Sequence, residues 1–267
     1  MNPTRIFAVV LRQIYLLRGS LTRFIPIFIW VALDMILWGF FTQYLSGVAQ
    51  AGFSFVPTFL GAVMLWNFCQ RMMHGVTMAF FEDVWSRNFL NMFASPLRVG
   101  EYLTAQVITS ILTSALALVA MLLLASGIFG LSIFAYGSAI LPFMLILFLF
   151  GIAIGIVGCA VVLRWGPAAE WLVWPIPAIL SPFACVFYPL AVLPHWMQWI
   201  AGALPPAYVF ENIRTIMHGG VASSSDLMVG LVLGMLYIVI ASLLFIRVYD
   251  RAVRTGLIAR YSAESIA

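Results

Sequence analysis

Charged residues are scarce in this chain, and lysine is absent from it. The 267 residues include 13 arginines and nine acidic residues, so that 8% of the chain is charged and 64% is hydrophobic. A soluble domain carries about 25% charged residues, which excludes a soluble protein. The Walker A loop of a P-loop ATPase needs a lysine that reaches the phosphates of ATP. This chain therefore cannot contain such an ATPase.

Motifs for catalysis and metal binding are also missing from the sequence. It contains no HExxH, no GxSxG and no acidic cluster suited to magnesium. Cys69, Cys159 and Cys185 lie inside apolar runs without the spacing of a zinc site. The arginines are scattered, so the net charge of +4 does not indicate nucleic-acid binding. We expect no enzyme activity, no catalytic residue, no metal, no cofactor bound by this chain and no nucleic-acid partner.

The apolar residues are arranged in long runs. Six of them have about 20 residues or more, enough to cross a hydrocarbon core of about 30 Å. Asp34 lies in the first run, but the apolar side chains around it outweigh the cost of one carboxylate. We predict an all-α integral membrane protein with one transmembrane domain, 1–267. Its six predicted transmembrane helices are 24–45, 57–81, 102–125, 134–162, 172–190 and 227–247.

The distribution of arginine predicts the orientation. A cytoplasmic N-terminus puts eleven of the 13 arginines at inner segments or span ends and only Arg214 outside, while Arg71 lies within the second predicted span. Cytoplasmic loops of membrane proteins carry such an excess of arginine and lysine. We predict a multi-pass protein of the inner (cytoplasmic) membrane, with both termini, the loop 82–101 and the tail 248–267 in the cytoplasm.

The N-terminal segment 1–23 is amphipathic. Arg5, Arg12 and Arg18 alternate with apolar residues over 3–20, which is typical of a helix lying in the membrane interface. The alternative is an ordinary helix that continues into the first span.

Prolines divide the segment before the last span. Apolar pieces of about 10–14 residues are too short to cross a membrane and are typical of re-entrant or interfacial helices. We predict a re-entrant outer hairpin over 190–220, with helices at 194–203 and 206–217. Irregular backbone at that depth must be buried in protein or line a water-filled cavity.

The loop 82–101 contains five of the 22 charged residues. Trp85, Phe89 and Met92 recur at helical spacing, and Ser95-Pro96 ends the pattern. We predict an amphipathic helix that a soluble partner can bind. The alternative is a connector that rests on the lipid surface.

Two further pairs of charged residues stand out. Asp34 and Arg71 are predicted at equal depth in the first two spans, where an ion pair would reduce their desolvation cost. We expect this intramembrane pair to be structural rather than to bind substrate. Glu211 and Arg214 are spaced i, i+3, which fits either a surface pair or an outer gate that opens as substrate leaves.

Two motifs resemble those of type-2 ABC transporter permeases. The loop after the second span in that family begins with an acidic residue and ends in Ser/Thr-Pro-Leu/Val, as Glu82 and Ser95-Pro96-Leu97 do here. The stretch before the last span is similar to the family's signature in that region. Its matching residues are Tyr188-Pro189, Leu193-Pro194, Trp196, Leu204-Pro205-Pro206, Tyr208 and Arg214.

The resemblance implies a half-transporter of an exporter. It implies a dimer with a second permease copy, here expected to be a homodimer, and two separate ATP-binding cassette subunits that bind ATP and magnesium. The helix in 82–101 would be the coupling helix that contacts the ATPase. The coupling residues expected on this basis are Glu82, Asp83, Trp85, Arg87, Phe89 and Met92.

Several functional alternatives remain open at this point. The family exports drugs, lipids or lipid-linked glycans, and we expect an amphipathic drug-like or lipidic substrate, with lipid-linked polysaccharide as the alternative. Trp30, Trp38, Phe41 and Trp66 either line a pathway for such a substrate or face lipid. From other classes, the candidates are an ion-coupled secondary transporter that uses Asp34 and a membrane scaffold without transport.

Overall fold

The regular secondary structure is helical throughout the part of the chain that the computed structural model describes, residues 1–48, 56–86, 92 and 95–256. Short 3-10 or π-helical turns occur at Val56–Leu60, Ile133–Ala139, Pro167–Ala169 and Leu190–Val192. The α-helices are α1 (Pro3–Arg18), α2 (Leu21–Phe24), α3 (Pro26–Val48), α4 (Gly61–Trp85), α5 (Val99–Phe129), α6 (Ile140–Trp165), α7 (Glu170–Val173), α8 (Ile176–Leu180), α9 (His195–Ala203), α10 (Pro205–Met217) and α11 (Ser224–Arg254).

Helix ends follow from local sequence. Pro3 occupies the first helical position of α1, where its missing N–H costs nothing, and the Asn2 side chain accepts a hydrogen bond from the Thr4 amide. The helix α5 ends at Gly130, whose φ of 67° is in the left-handed region that glycine adopts without strain. The Ser223 hydroxyl caps α11 through the Asp226 amide.

The helices α4 and α6 form the centre of the bundle. The helix α4 packs between α5 and α6, α11 packs on the outer side of α6, and both α1 and α3 pack on α5. In the most apolar 18-residue stretch of the segment that contains α6, 72% of the residues are buried. The corresponding stretches of the segments that contain α3, α5 and α11 are only 22–28% buried. Those three helices therefore direct large apolar side chains outward, as lipid-facing helices do.

Glycines allow the two central helices to approach closely. A Cβ atom on Gly151 would lie 2.5 Å from the Cys69 carbonyl oxygen, and one on Gly155 would lie 3.0 Å from the Met73 carbonyl oxygen. These glycines form a GxxxG sequence, the small-residue pattern of packed membrane helices. The GxxxG pattern is visible in the sequence and could have predicted this close packing.

Four helical segments of the described residues are long and apolar enough to cross a membrane. They are Leu21–Val48, Val99–Phe129, Phe134–Trp165 and Ser224–Arg254. The prediction of a multi-pass all-α membrane protein is confirmed, but the count of six spans is not. The helix α4 occupies the second predicted span, 57–81, and its polar side chains lower its hydropathy.

The fifth predicted span, 172–190, requires a correction because it is not one helix. It consists of α7, α8, a series of turns and a 3-10 turn. Pro175, Pro177 and Pro182 interrupt it, since proline lacks the N–H that an interior helix position needs. The apolar content of 172–190 predicts a span, but its prolines divide it into short helices.

The two ends of the helical bundle are formed by different elements. At the α1 end, α1 lies beside the end of α4 and the start of α5, and Trp85 of α4 contacts Glu170, which follows α6. At the α10 end, α9 and α10 begin directly after Pro194 and Leu204, and α10 lies near the start of α11. Their helical bounds are close to those predicted for the hairpin, and its re-entrant position in the membrane stays a prediction.

Candidate functional site

Three ion pairs join the N-terminal segment to the two sides of the 82–101 loop. Arg12 Nη1 lies 2.6 Å from Asp83 Oδ1, and Arg23 Nε lies 3.0 Å from Glu82 Oε1. On the far side of the loop, an Arg5 nitrogen lies 3.6 Å from a Glu101 oxygen. We call these six residues the inner ionic cluster. They connect α1 and α2 to the end of α4 and the start of α5.

Asp83 is the buried centre of this cluster. Its side chain is 0% exposed, and its Oδ2 accepts hydrogen bonds from Tyr102 Oη at 2.8 Å and from Gln106 Nε2 at 3.4 Å. Asp83 follows the predicted second span; burial raises the pKa of its carboxyl, while Arg12 and the hydrogen bonds act in the opposite direction. A buried carboxylate of this kind needs its partners, so it fixes α1, α4 and α5 relative to one another.

Glu101 has a similar role at the start of α5. Its carboxylate accepts hydrogen bonds from the Arg98 amide at 3.0 Å and from the Asn2 amide at 2.7 Å. Arg5, its ion-pair partner, also donates to the carbonyl of Pro96. A carboxylate in the first turn stabilises a helix N-terminus, and here it also holds the beginning of the chain. Sequence reasoning missed both Glu101 and the arginine partners of the loop.

Three of the six predicted coupling residues lie on α4. Glu82, Asp83 and Trp85 form the last turn of α4 and do not start a new helix, because the helical pattern of the second span continues through them. Trp85 is 47% exposed, and its indole N–H donates to Glu170 Oε2 at 2.9 Å. Asp83, by contrast, has no surface that a partner protein can touch.

The other three predicted coupling residues lie around the middle of the loop. Met92 packs on the face of α1 formed by Val9 and Val10, and Arg12 Nη1 approaches its sulfur at 3.9 Å. Arg87 and Phe89 lie outside the described residues.

Asp34 and Arg71 are not brought together. The ion pairs of the described residues do not include them, and Arg71 Nη2 instead donates to the Pro26 carbonyl at 3.1 Å. The predicted pairing assumed that the first two spans lie side by side along their lengths. In the structure α3 packs along α5, and it contacts the turn Val56–Leu60 more than it contacts α4.

Glu211 and Arg214 do form an ion pair, with 2.7 Å between Oε1 and Nη1. Arg214 also donates to the carbonyls of Cys185 and Val186, and Glu211 Oε1 accepts from the Leu190 amide at 2.7 Å. The pair therefore differs from an ordinary surface ion pair, because it also connects the segment 185–190 to α10. Cys185 has a φ of 57°, a strained value for a residue with a side chain.

An aromatic cluster lies near the same end of the molecule. The rings of Trp38 and Phe187 stack at 5.3 Å between centroids, and Phe59 lies 5.5 Å from Trp38 and 5.7 Å from Phe187. Phe41 joins the cluster at 6.1 Å from Phe59 and is 42% exposed. Sequence reasoning identified Trp38 and Phe41 but missed Phe59 and Phe187, which are distant in the chain.

The other two aromatic candidates lie elsewhere. Trp66 is buried in the core, where its ring contacts Phe210 at 6.2 Å, and Trp30 is 69% exposed on α3. Within the described residues, no group of three or more His, Cys, Asp or Glu side chains is placed to hold a metal ion.

A comparison with protein families identifies the family of this chain. The model of the ABC-2 type transporter family matches residues 5–218. The chain belongs to this family. The resemblance to type-2 ABC transporter permeases is thereby confirmed, and the match extends from α1 through α10. A comparison with curated proteins found no match.

Family membership gives the inner ionic cluster and the aromatic cluster a context. This ABC-2 family member is a transmembrane subunit of an ABC transporter, a multi-pass membrane permease and not a catalytic domain. Permeases of the family work with ATP-binding cassette subunits.

Proposed function

We propose that this chain is the membrane-spanning subunit of an ATP-driven exporter that works as a homodimer with two ATP-binding cassette subunits. ATP and magnesium bind to those subunits, since the chain has no lysine for a P-loop of its own. The permease lies in the inner membrane with both termini in the cytoplasm, as the arginine distribution favours. The α1 end then faces the ATPase.

The ion pair between Arg12 and the buried carboxylate of Asp83 is the observation that carries this proposal. It joins the amphipathic α1 to α4, and the Tyr102 hydrogen bond adds α5 to the same group. A displacement of the loop 82–101 by the ATPase is therefore transmitted to three helices together. The proposed contact surface consists of the exposed Trp85 and the predicted coupling residues Glu82, Arg87 and Phe89, while Met92 packs on α1. Asp83 acts as a positioning residue beneath it.

A charge reversal in the loop tests this coupling. Arg87→Glu is expected to abolish ATP-driven transport by the permease–ATPase complex in reconstituted vesicles, with the permease still folded and inserted. Arg254→Glu, the same change on the exposed last turn of α11, serves as the matched control. Unchanged transport in Arg87→Glu, or an equal loss in the control, would argue against a coupling role. Transport that proceeds without any ATPase would instead favour an ion-coupled transporter that uses Asp34.

The aromatic cluster supports an amphipathic substrate. Trp38, Phe41, Phe59 and Phe187 provide a continuous aromatic surface, which binds apolar or lipidic molecules through ring contacts. Drugs and lipids fit this surface better than polysaccharide chains, which remain the alternative through their lipid carrier. Stimulation of the ATPase activity of the complex by one of these classes identifies the substrate.

The Glu211–Arg214 pair is the proposed outer gate. It holds the segment 185–190 against α10, close to Phe187 of the aromatic cluster. Release of the pair lets this segment move away from the aromatic surface, which gives a bound substrate a way out.

A further inference from the structure

Three arginines line a cavity at the α1 end that the proposed function does not use. The cavity has a volume of about 390 Å³ and lies between the last turns of α6 and α11. It is far in sequence from the inner ionic cluster. Its lining residues are Arg164, Trp165, Leu244, Arg247, Val248, Arg251 and Ala252.

The three arginines that line the cavity come from two helices. Arg247 and Arg251 are one turn apart on the same face of α11, and Arg164 approaches from the end of α6. The Arg164 guanidinium lies 5.6 Å from the centre of the Trp165 ring, a cation–π distance that holds it beside the cavity. Ala252, only 1% exposed, closes one wall.

These arginines have no acidic partners among the ion pairs of the described residues. That distinguishes them from Arg5, Arg12 and Arg23, whose charges are neutralised within the protein. Three positive charges around one cavity, without an acidic partner in the part of the chain that the structure describes, favour an anion, and the planar guanidinium fork matches the oxygens of a phosphate.

The depth of the cavity indicates where that phosphate comes from. The apolar part of α11 ends at Ile246, about 20 residues and 30 Å after Leu227, so Arg247 lies at the edge of the hydrocarbon core. Trp165, 62% exposed, and Leu244, 39% exposed, lie at the rim of the cavity. Tryptophan collects at the level of the lipid headgroups, and a free phosphate would leave both apolar side chains unused.

We propose that this cavity binds the phosphodiester headgroup of an anionic phospholipid, with the acyl chains resting on Leu244 and Trp165. The site needs only a membrane-embedded permease, and it does not depend on the proposed transport function. Its assignment to the cytoplasmic leaflet does rest on the proposed orientation. The bound lipid ties the ends of α6 and α11 together at the membrane surface.

Lipid retention by the purified full-length permease tests the site. The protein is delipidated in detergent, incubated with equal amounts of phosphatidylglycerol and phosphatidylcholine, and examined by native mass spectrometry. We expect preferential retention of phosphatidylglycerol, reduced about fivefold for each arginine removed in Arg247→Gln/Arg251→Gln. Arg18→Gln/Arg254→Gln removes the same charge from exposed positions that do not line the cavity, and it should retain the lipid as the unchanged protein does.

Further experiments distinguish the possible ligands of the cavity. An excess of inorganic phosphate, compared with chloride at equal ionic strength, should not displace the lipid; displacement would identify a site for a free anion and overturn the proposal. Unchanged retention in Arg247→Gln/Arg251→Gln, or an equal loss in Arg18→Gln/Arg254→Gln, would also overturn it. So would a loss of ATPase binding with unchanged lipid retention, because the arginines would then contact the partner protein. Circular dichroism of each variant verifies that it is folded.

Discussion

A single buried carboxylate, Asp83, organises the charged end of this permease. It lies on α4, yet its partners come from α1 and α5, and its removal affects all three helices. Arg214 has a comparable position at the other end, where its guanidinium holds two backbone carbonyls. Both residues are charged groups whose partners are distant in sequence. Their roles are therefore visible only in three dimensions.

Asp83→Asn is expected to lower the free energy of unfolding by about 2–3 kcal/mol, because Arg12 loses its counter-ion. The loss lies below that of a fully buried pair since Arg12 is 28% exposed and can reach water. Thermal unfolding in detergent measures the change, with Asp250→Asn on the exposed face of α11 as the control. In the double variant Arg12→Gln/Asp83→Asn, the cost should be smaller than the sum of the single costs. Additive costs would contradict the pairing.

Arg214→Gln is expected to expose the thiol of Cys185 at the α10 end. The change removes the hydrogen bonds to the Cys185 and Val186 carbonyls, and bonds to charged groups contribute about 1.5–3 kcal/mol. A membrane-impermeant maleimide should then label Cys185 about tenfold faster or more. Cys69 and Cys159, buried in the central helices, serve as internal references. Equal labelling rates with and without the change would mean that Arg214 does not hold the segment.

At the scale of elements, the packing of α4 against α6 depends on glycines, which have no side chain. Gly151 and Gly155 face backbone carbonyls of α4, and Gly75 of α4 faces Ser110 of α5. Without a hydrophobic driving force between helices in lipid, such close contacts provide much of the association energy. The two central helices thus approach each other at backbone contact distance.

Gly151→Ala is expected to separate α4 from α6 and to destabilise the protein by about 1–3 kcal/mol, the usual cost of overpacking. The added Cβ would lie 2.5 Å from the Cys69 carbonyl oxygen and 2.8 Å from Met72 Cβ. Gly127→Ala on α5 is the matched control, since nothing lies within 4 Å of its added Cβ. Thermal unfolding should show the control to be neutral or slightly more stable. A similar loss in both variants would contradict close packing at Gly151.

Much of the fold could be predicted from the sequence, because apolar runs of about 20 residues specify membrane helices by length alone. The fifth span could not, since Pro175 and Pro177 break a run that is apolar enough to cross. The candidate site was likewise predictable only where its residues are close in sequence. The local pair Glu211–Arg214 follows from i, i+3 spacing, whereas Arg12–Asp83 joins residues 71 positions apart and depends on how α1 docks. The predicted Asp34–Arg71 pair failed for the same reason, because no periodicity indicates that α3 packs along α5.

At the scale of the whole molecule, the two ends of the bundle have different chemistry. The α1 end carries the inner ionic cluster and the arginine cavity, while the α10 end carries the aromatic cluster and the Glu211–Arg214 pair. The central pair α4 and α6 connects them through close contacts. In the proposed exporter, ATPase movement enters at the α1 end and substrate leaves at the α10 end.

Cross-linking at Trp85 tests the central claim most directly, because all three native cysteines are buried. Trp85→Cys places an exposed thiol at the end of α4, and Ser225→Cys places one at the start of α11, near the α10 end. In the purified complex with the ATP-binding cassette subunit, a short thiol-to-amine reagent should join Trp85→Cys to that subunit and leave Ser225→Cys unjoined. An assembled complex in which Ser225→Cys is joined and Trp85→Cys is not would contradict the proposed docking of the ATPase at the α1 end.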